Sequence, residues 1–377
     1  MLLFITGSFP ESREGIAHSA GMLFDHMRKY NGGIRLLTTD TPVITGHLKK
    51  NRITGYSLMH DWHLKPANIR RLFSVLKDED VTAVHMEYPG DLYGKTFLAS
   101  FIPFLVHLYA KRRHTGITVN VRLHEFLRAR FLRKLAVIPI LLSADRIYVP
   151  SLKDRDAVRH FAKDRVFSTF IGSNMVRNGN SIPSAPKDTV ISYFGSVYPG
   201  KGFERMLKIW QRLKAGENGN GYVFRVIGDI GTEEGNHFLD YHKKIRSLIK
   251  QYSLTDDIKI TGFKSPSDVQ GYIDKSSMAM LLFEDGLSLR RGSFLACLEY
   301  GIPVITTPGD HEAAALFTGH PGVAMCKDDE EILRKVRDYA RLTEPERKMI
   351  YDDNTGLSQL FNWDNIAKGY LKDYGII

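Results

Sequence analysis

The sequence predicts an α/β protein built from two doubly wound parallel sheets, and three observations carry that reading. Short apolar runs alternate with helix-length amphipathic segments from one end of the chain to the other. A length of 377 residues suits two domains of roughly 150 residues each, with ample interior for a core. Near the middle, Gly172 to Pro186 is rich in Gly, Asn, Ser and Pro and lacks apolar periodicity, and after it the alternation restarts. The expected division is therefore a domain over 1–180 and a second over 181–360.

Taken in order, Leu2 to Thr6 reads as the first strand, because the apolar run is short and ends in the turn residues Gly7, Ser8 and Pro10. A secretory leader would need a basic start and a longer apolar region. Strands follow at Ile34 to Thr38, Val81 to Met86, Thr118 to Leu123, Arg146 to Val149 and Ser168 to Ile171, with helices between them. The longest apolar stretch, Phe97 to Ala110, contains Pro103 and His107 and stops at Lys111-Arg112-Arg113, short of the roughly 20 residues that cross a bilayer. Beyond the linker come a strand at Val190 to Phe194, a glycine-bearing turn at Gly195 to Gly202 and an amphipathic helix from Phe203 to Leu213. Further strands are expected at Tyr222 to Ile227, Ile258 to Thr261, Met278 to Leu282, Val304 to Thr306 and Val323 to Met325. Two such halves would enclose a cleft, and ligands of open α/β sheets bind outside the carboxyl ends of the strands.

Composition narrows the function classes. With 43% hydrophobic and 25% charged residues the chain is not a disordered one. Its two cysteines, Cys297 and Cys326, cannot build a disulfide framework or a four-thiolate zinc site, which fits a reducing cytoplasm. The formal charge of +10 favours an anionic partner, and nucleic acid, anionic lipid and sugar phosphates all satisfy it.

Two segments could hold such a partner. Gly195-Ser-Val-Tyr-Pro-Gly-Lys201-Gly202 follows a strand and opens a helix, where backbone N–H groups and the helix dipole favour phosphate. It is not a P-loop, since Gly202 stands where a magnesium-binding hydroxyl would be, and a plain turn with a solvated lysine fits the same residues. The stretch Phe283-Glu-Asp-Gly-Leu-Ser288-Leu-Arg290-Arg291-Gly292-Ser293 sets two arginines beside a helix start. Arginine forks pair with phosphate oxygens, and the N–H groups of Gly292, Ser293 and Phe294 lack intrahelical partners there. A solvated face with Ser293 as N-cap is the plainer alternative. Two phosphate-like turns in one half favour the clamp.

These residues resemble the retaining glycosyltransferases of family 4, subset R-R-G-S, whose GT-B architecture sets two Rossmann-like domains face to face across a cleft. Gly195 to Gly202 is similar to the family's G-R-x-x-x-x-K-G turn, with Lys201 in the place of the diphosphate-binding lysine. Ala296-Cys-Leu-Glu-Tyr-Gly301-Ile-Pro303-Val is similar to its E-A-x-x-x-G-x-P-V helix and strand. In the first half, Pro10 to Ile16 resembles the glycine-bearing loop after the first strand, with Gly15 at its close approach to the donor diphosphate or the acceptor, and His124 ends a strand as the family's sugar-contacting histidine does. Ala144 to Ser151 and Phe170 to Asn174 resemble the segments that close the first domain, and Trp363 begins a segment, 361–377, similar to the helix that crosses back onto it. The chain departs from the usual pattern at Ser196, where arginine is common, and at Ser288 and Ala296, where paired glutamates are. The subset matches Gly286, Ser288, Arg290, Arg291, Gly292 and Ser293, so Arg290 or Arg291 can restore the cation missing at 196. For the ribose, Glu299, one helical turn beyond Ala296, can reach the hydroxyls, although a surface helix glutamate is the plainer reading; Glu284 and Asp285 are alternatives with no better support.

The resemblance implies a nucleotide diphosphate sugar as donor, with UDP-glucose the leading case, and retention of anomeric configuration by same-face attack. It implies an acceptor that is a polysaccharide or a lipid-linked glycan, as in exopolysaccharide biosynthesis. Lys201, Arg290, Arg291 and the helix start at Gly292 to Phe294 would stabilise the departing diphosphate, so no metal and no cofactor is expected. Gly195, Ser196, Ser288, Ser293 and Asp229 complete the expected donor contacts, although Asp229 equally suits a turn. Asp78-Glu79-Asp80 has the D-x-D form of a metal site but reads as a solvated connection, and no histidine pair shows ligand spacing.

The acceptor should dock on the first half, where Arg122, Arg128, Arg130, Arg133 and Lys134 alternate with Phe126, Leu127, Phe131, Leu132 and Leu135. With Phe97 to Arg113 this segment can rest on an anionic membrane from the cytoplasmic side, or be a core-facing helix with a solvated basic face. No nucleic-acid module is present, so nucleic acid is not expected as a partner. Two other readings stay open: a sugar-nucleotide binding protein that has lost catalysis, given Ser288 and Ala296, and a nucleotide-sugar epimerase of the same fold.

Overall fold

The computed structural model describes every residue except 10–14, 79, 89, 95, 125, 128, 130, 180–187, 217–220 and 232–237. The chain forms two compact units, Met1–Asn174 together with Asn362–Ile377, and Met175–Phe361.

The first unit holds seven parallel strands: β1 (Leu2–Ile5), β2 (Ile34–Thr39), β3 (Tyr56–Met59), β4 (Ala83–Tyr88), β5 (Thr118–Leu123), β6 (Arg146–Val149) and β7 (Val166–Ser168), in the order β3-β2-β1-β4-β5-β6-β7. A sheet covered on both faces needs strands that are apolar throughout rather than at alternate positions. β1 shows why: Leu3 and Ile5 enter one core with Val84 and Met86, while Leu2 and Phe4 enter the other with Phe24 and Trp363. The helices Leu98–Arg113 and Phe131–Ser143 cover the first of these faces. The second face is completed from the far end of the chain by the Trp363–Asp373 helix, whose N-cap Asn362 accepts hydrogen bonds from the N–H groups of Asp364 and Asn365.

Three strands depart from the sequence reading, the first being β4, which begins and ends two residues later than the expected Val81 to Met86. β3 was not expected, because Tyr56-Ser-Leu-Met59 is an edge strand in which only Met59 is buried. β7 lies nearer the N-terminus than the expected Ser168 to Ile171. It too is an edge strand, with Val166 alone buried, and an edge lacks the two-sided burial that writes a readable pattern.

The second unit holds six parallel strands: β8 (Thr189–Phe194), β9 (Tyr222–Ile227), β10 (Ile258–Ile260), β11 (Met278–Leu281), β12 (Val304–Thr306) and β13 (Val323–Met325), in the order β10-β9-β8-β11-β12-β13. Each unit is thus a Rossmann-like doubly wound sheet. In the second, the strand order reverses between β8 and β11, where Met278 faces Ile191.

Candidate functional site

Both predicted anion-binding segments hang from the strands that flank this reversal, the place where a doubly wound sheet opens for ligands. The Gly195 turn follows β8, and residues 282–291 follow β11 and lead into the Gly292–Glu299 helix. A methyl group on Gly195 would stand 3.6 Å from the Cβ of Ser293, so turn and helix start lie side by side. At Gly202, φ is +66° and a methyl group would come within 1.7 Å of the Leu282 carbonyl oxygen. Only glycine fits, and it ties Lys201 to the end of β11.

The two segments meet at one buried ring. Lys201 Nζ lies 5.3 Å from the centre of Phe283 and 4.8 Å from that of Tyr198, and Arg291 Cζ lies 4.6 Å from the centre of Phe283. Arg291 is ion-paired to Asp285, and its buried Nε finds no hydrogen-bond partner among the described residues. Arg291 is also the N-cap of the Gly292–Glu299 helix and supplies no side-chain cap, which leaves the first N–H groups without that partner. Tyr193 braces the turn from below, its hydroxyl donating to the Ser196 carbonyl at 2.9 Å, and burial holds its phenol proton well above the ordinary range.

The remaining candidates spread outward. Ser196 is exposed, and Ser288 and Arg290 are half-buried. Gly292 is exposed, Ser293 half-buried and Phe294 buried. Exposed Asp229 follows Gly228, which packs on the Gly195 carbonyl. Glu299 is not brought to the clamp: six residues beyond Ser293, about 9 Å along a helix, its carboxylate accepts the Arg177 N–H at 3.5 Å. A hollow of about 480 Å³ opens beside Phe283, lined also by Gly202, Arg205, Glu284 and Thr307, within the usual size of a ligand site.

In the first unit, His124 follows β5 and is buried, its N–H donating to the Tyr88 carbonyl at 3.1 Å. Its Nε2 is hydrogen-bonded to Glu87, which also contacts Arg122 Nη1 at 3.3 Å and His85 Nε2 at 3.0 Å. All of this is inside the sheet, so burial pushes the Glu87 carboxyl up, yet Arg122 and His124 together hold it well below the carboxylate range. The sequence reading missed Glu87. The available signal was a carboxylate two residues beyond His85 in β4, opposite Arg122 in the register of β5. Arg122 itself corrects an expectation: it is wholly buried and paired, not part of a docking surface. Gly15 is the first residue of the Gly15–Tyr30 helix. The rest of the expected loop, residues 10–14, lies outside the described residues, as do Arg128, Arg130 and Glu79. A larger hollow, about 600 Å³, lies at the ends of β1 to β3 among Thr39, Asp61, Trp62 and Tyr93, where the sequence reading placed no site residue.

Two Rossmann-like units, with the strand orders given above, define the GT-B fold of glycosyltransferases. Residues 188–341 match the family described as Glycosyl transferases group 1, so the unit that carries Lys201 and Arg291 is the one that carries this domain. Among solved structures, a glycosyltransferase from Rickettsia africae ESF-5 is similar at a TM-score of 0.72 and 14% identity, covering 99% of this chain and 97% of that one. Anabaena Alr3699/HepE, solved in complex with UDP, is similar at a TM-score of 0.71 and 13% identity over 100% of both chains. At such identities the likeness is one of fold. A Salmonella typhimurium protein named "Putative colanic acid biosynthesis glycosyltransferase WcaL" is 26% identical over 147 residues, which are 38% of this chain and only 34% of that protein.

Proposed function

We propose that the protein is a retaining, metal-independent glycosyltransferase of family 4 type that takes a UDP-sugar, UDP-glucose first among them, and passes the sugar to a polysaccharide or lipid-linked glycan. One observation carries this reading: two cations, Lys201 and Arg291, share the buried Phe283 ring beside an uncapped helix N-terminus. Asp285 neutralises one of these two charges, so the second charge and the uncapped helix N–H groups together attract a further anion. A diphosphate fits, and HepE, which shares the fold, binds UDP and UDP-glucose.

The chemistry follows from charge. Breaking the anomeric C–O bond leaves the bonding electron pair on the diphosphate, whose negative charge grows as the bond lengthens. Lys201, Arg291 and the N–H groups of Gly292 to Phe294 stabilise that growing charge, the kind of fixed electrostatic assistance that needs no metal. Asp285 holds the Arg291 guanidinium in place. His124 takes the role of a sugar-contacting residue, and Glu87 fixes its ring orientation and the proton on Nε2. For retention, the acceptor hydroxyl attacks the face that the diphosphate leaves and gives its proton to a diphosphate oxygen.

The test is nucleotide release from UDP-, GDP- and ADP-sugars with and without EDTA. We expect UDP release that EDTA leaves unchanged, and a loss of about 100- to 1000-fold in turnover for Lys201→Ala and Arg291→Ala, the usual cost of one lost stabilising donor. Unchanged turnover and donor affinity in both variants would refute the clamp. Binding without release would instead indicate a sugar-nucleotide binding protein, a reading favoured by Ser288 and Ala296, and interconversion of the donor sugar alone an epimerase.

A further inference from the structure

We infer that the first unit docks on an anionic phospholipid surface through the outer faces of the Leu98–Arg113 and Phe131–Ser143 helices. Helices that pack on a sheet normally present one apolar stripe to it and a polar face to water. The Phe131–Ser143 helix does not. Val137, Ile140 and Leu141 fill the core, and yet Phe131, Leu135, Ile138 and Leu142 form a second stripe, at i, i+4, i+7 and i+11, on the outside. Phe131 is 74% exposed, Leu132 78% and Leu142 69%. On the neighbouring helix, Phe104 is exposed and Lys111 follows it seven residues on, along the same face, with exposed Phe97 at the helix start.

Charge selects the occupant. Among the described residues from 97 to 143, Lys111, Arg112, Arg113, Arg133 and Lys134 reach the surface, Arg122 is buried, and none is acidic. Exposed Lys111, Arg112 and Arg113 end one helix, and Arg133 and Lys134 lie in the first turn of the other. The apolar stripe is thus bordered by cations at both ends. A second copy of the chain meeting this face would set cation against cation. An anionic leaflet offers both complements, headgroup phosphates for the rim and acyl chains for Phe131, Leu132 and Leu142, and the geometry is that of a helix lying in the interface rather than crossing it. No helix among the described residues is long and apolar enough to cross a membrane. This surface does not involve Lys201, Arg291 or His124, so it stands or falls apart from the proposed activity.

Sedimentation with vesicles of phosphatidylcholine alone, or of phosphatidylcholine mixed with phosphatidylglycerol, tests it on the full chain. We expect binding to the mixed vesicles only, weakened by added salt. The triple variant Lys111→Ser, Arg112→Ser, Arg113→Ser should lose on the order of 100-fold in partition, at about fivefold per cation. Phe131→Ser, Leu132→Ser, Leu142→Ser should lose tenfold or more while melting at or above the wild-type temperature, because these side chains are mostly exposed. Should that variant fail to fold, the charge variant alone decides. Wild type left in solution with mixed vesicles at low salt overturns the inference. So does equal binding by the charge variant, or a wild-type dimer that the serine substitutions dissociate with no lipid binding.

Discussion

Replacing Glu87 by glutamine removes one negative charge from a fully buried site where it has three positive or protonatable neighbours. The carboxylate faces Arg122 at 3.3 Å, His85 at 3.0 Å and His124, all inside the sheet. Arg122 keeps its bonds to the Phe170 carbonyl at 3.1 Å and Ser19 Oγ at 3.4 Å, and its place over the Trp363 ring at 5.6 Å, but its charge is left without a counterpart. Breaking a buried pair in this way costs about 3–5 kcal/mol. At roughly 2–4 °C per kcal/mol for a unit of this size, Glu87→Gln should lower the melting temperature by about 6–20 °C. The double variant Glu87→Gln, Arg122→Met should recover most of that loss, since an apolar replacement for the whole pair is often neutral. Acid titration gives an independent sign. A carboxyl whose folded pKa lies well below its unfolded value contributes stability that is fully present above the unfolded value of about 4.3 and is lost as pH falls through the folded one. The gap between wild type and Glu87→Gln should therefore be constant near neutrality and shrink only below about pH 4. Differential scanning calorimetry or urea melts followed by circular dichroism read both effects. A single variant that melts within about 2 °C of wild type, or a double variant no better than the single, would refute the reasoning.

Other outcomes follow from the same structure. Gly202→Ala should lower the urea midpoint by an amount worth about 1–3 kcal/mol, and an unchanged midpoint would show that the turn does not press on the Leu282 carbonyl. Trp363→Ala empties a buried site in the last helix and should cost about 3–5 kcal/mol, seen as faster proteolytic loss of the C-terminal segment. The hydrogen bond that the His107 ring donates to the Asp145 carboxylate raises the pKa of His107 above its ordinary value. Its contribution is present in full below about pH 6.5 and disappears as pH rises through the folded value, so a proton NMR titration should place His107 above an unstructured histidine, and Asp145→Asn should remove the shift.

The central strands were legible because burial on two faces leaves little freedom. Leu2 to Ile5, Thr118 to Leu123 and Tyr222 to Ile227 could hardly be anything but strands within a covered sheet. β3 and β7 were missed or displaced because an edge carries half of that constraint. Lys201 and Arg291 stood out through their spacing from turn glycines, a property of one stretch of chain. What the sequence could not show was that both approach the Phe283 ring, or that Asp285 and not a solvent face receives Arg291. Glu87 and Arg122 illustrate the limit most clearly. They are 35 residues apart, each looks like an ordinary charged residue in its own strand, and only the register of β4 against β5 makes them a pair.

The return of Asn362–Ile377 to the first unit has a bearing on how the protein is made. During synthesis, Phe4, Phe24 and Tyr148 emerge long before Trp363 and Tyr370, the side chains that seal them, so the nascent first lobe waits with one apolar flank open while the whole second lobe is translated. The lobe begun first is closed last. A ribosome stall or a stop codon after Phe361 would thus release a complete second lobe attached to an unfinished first one, the species on which quality-control chaperones should act.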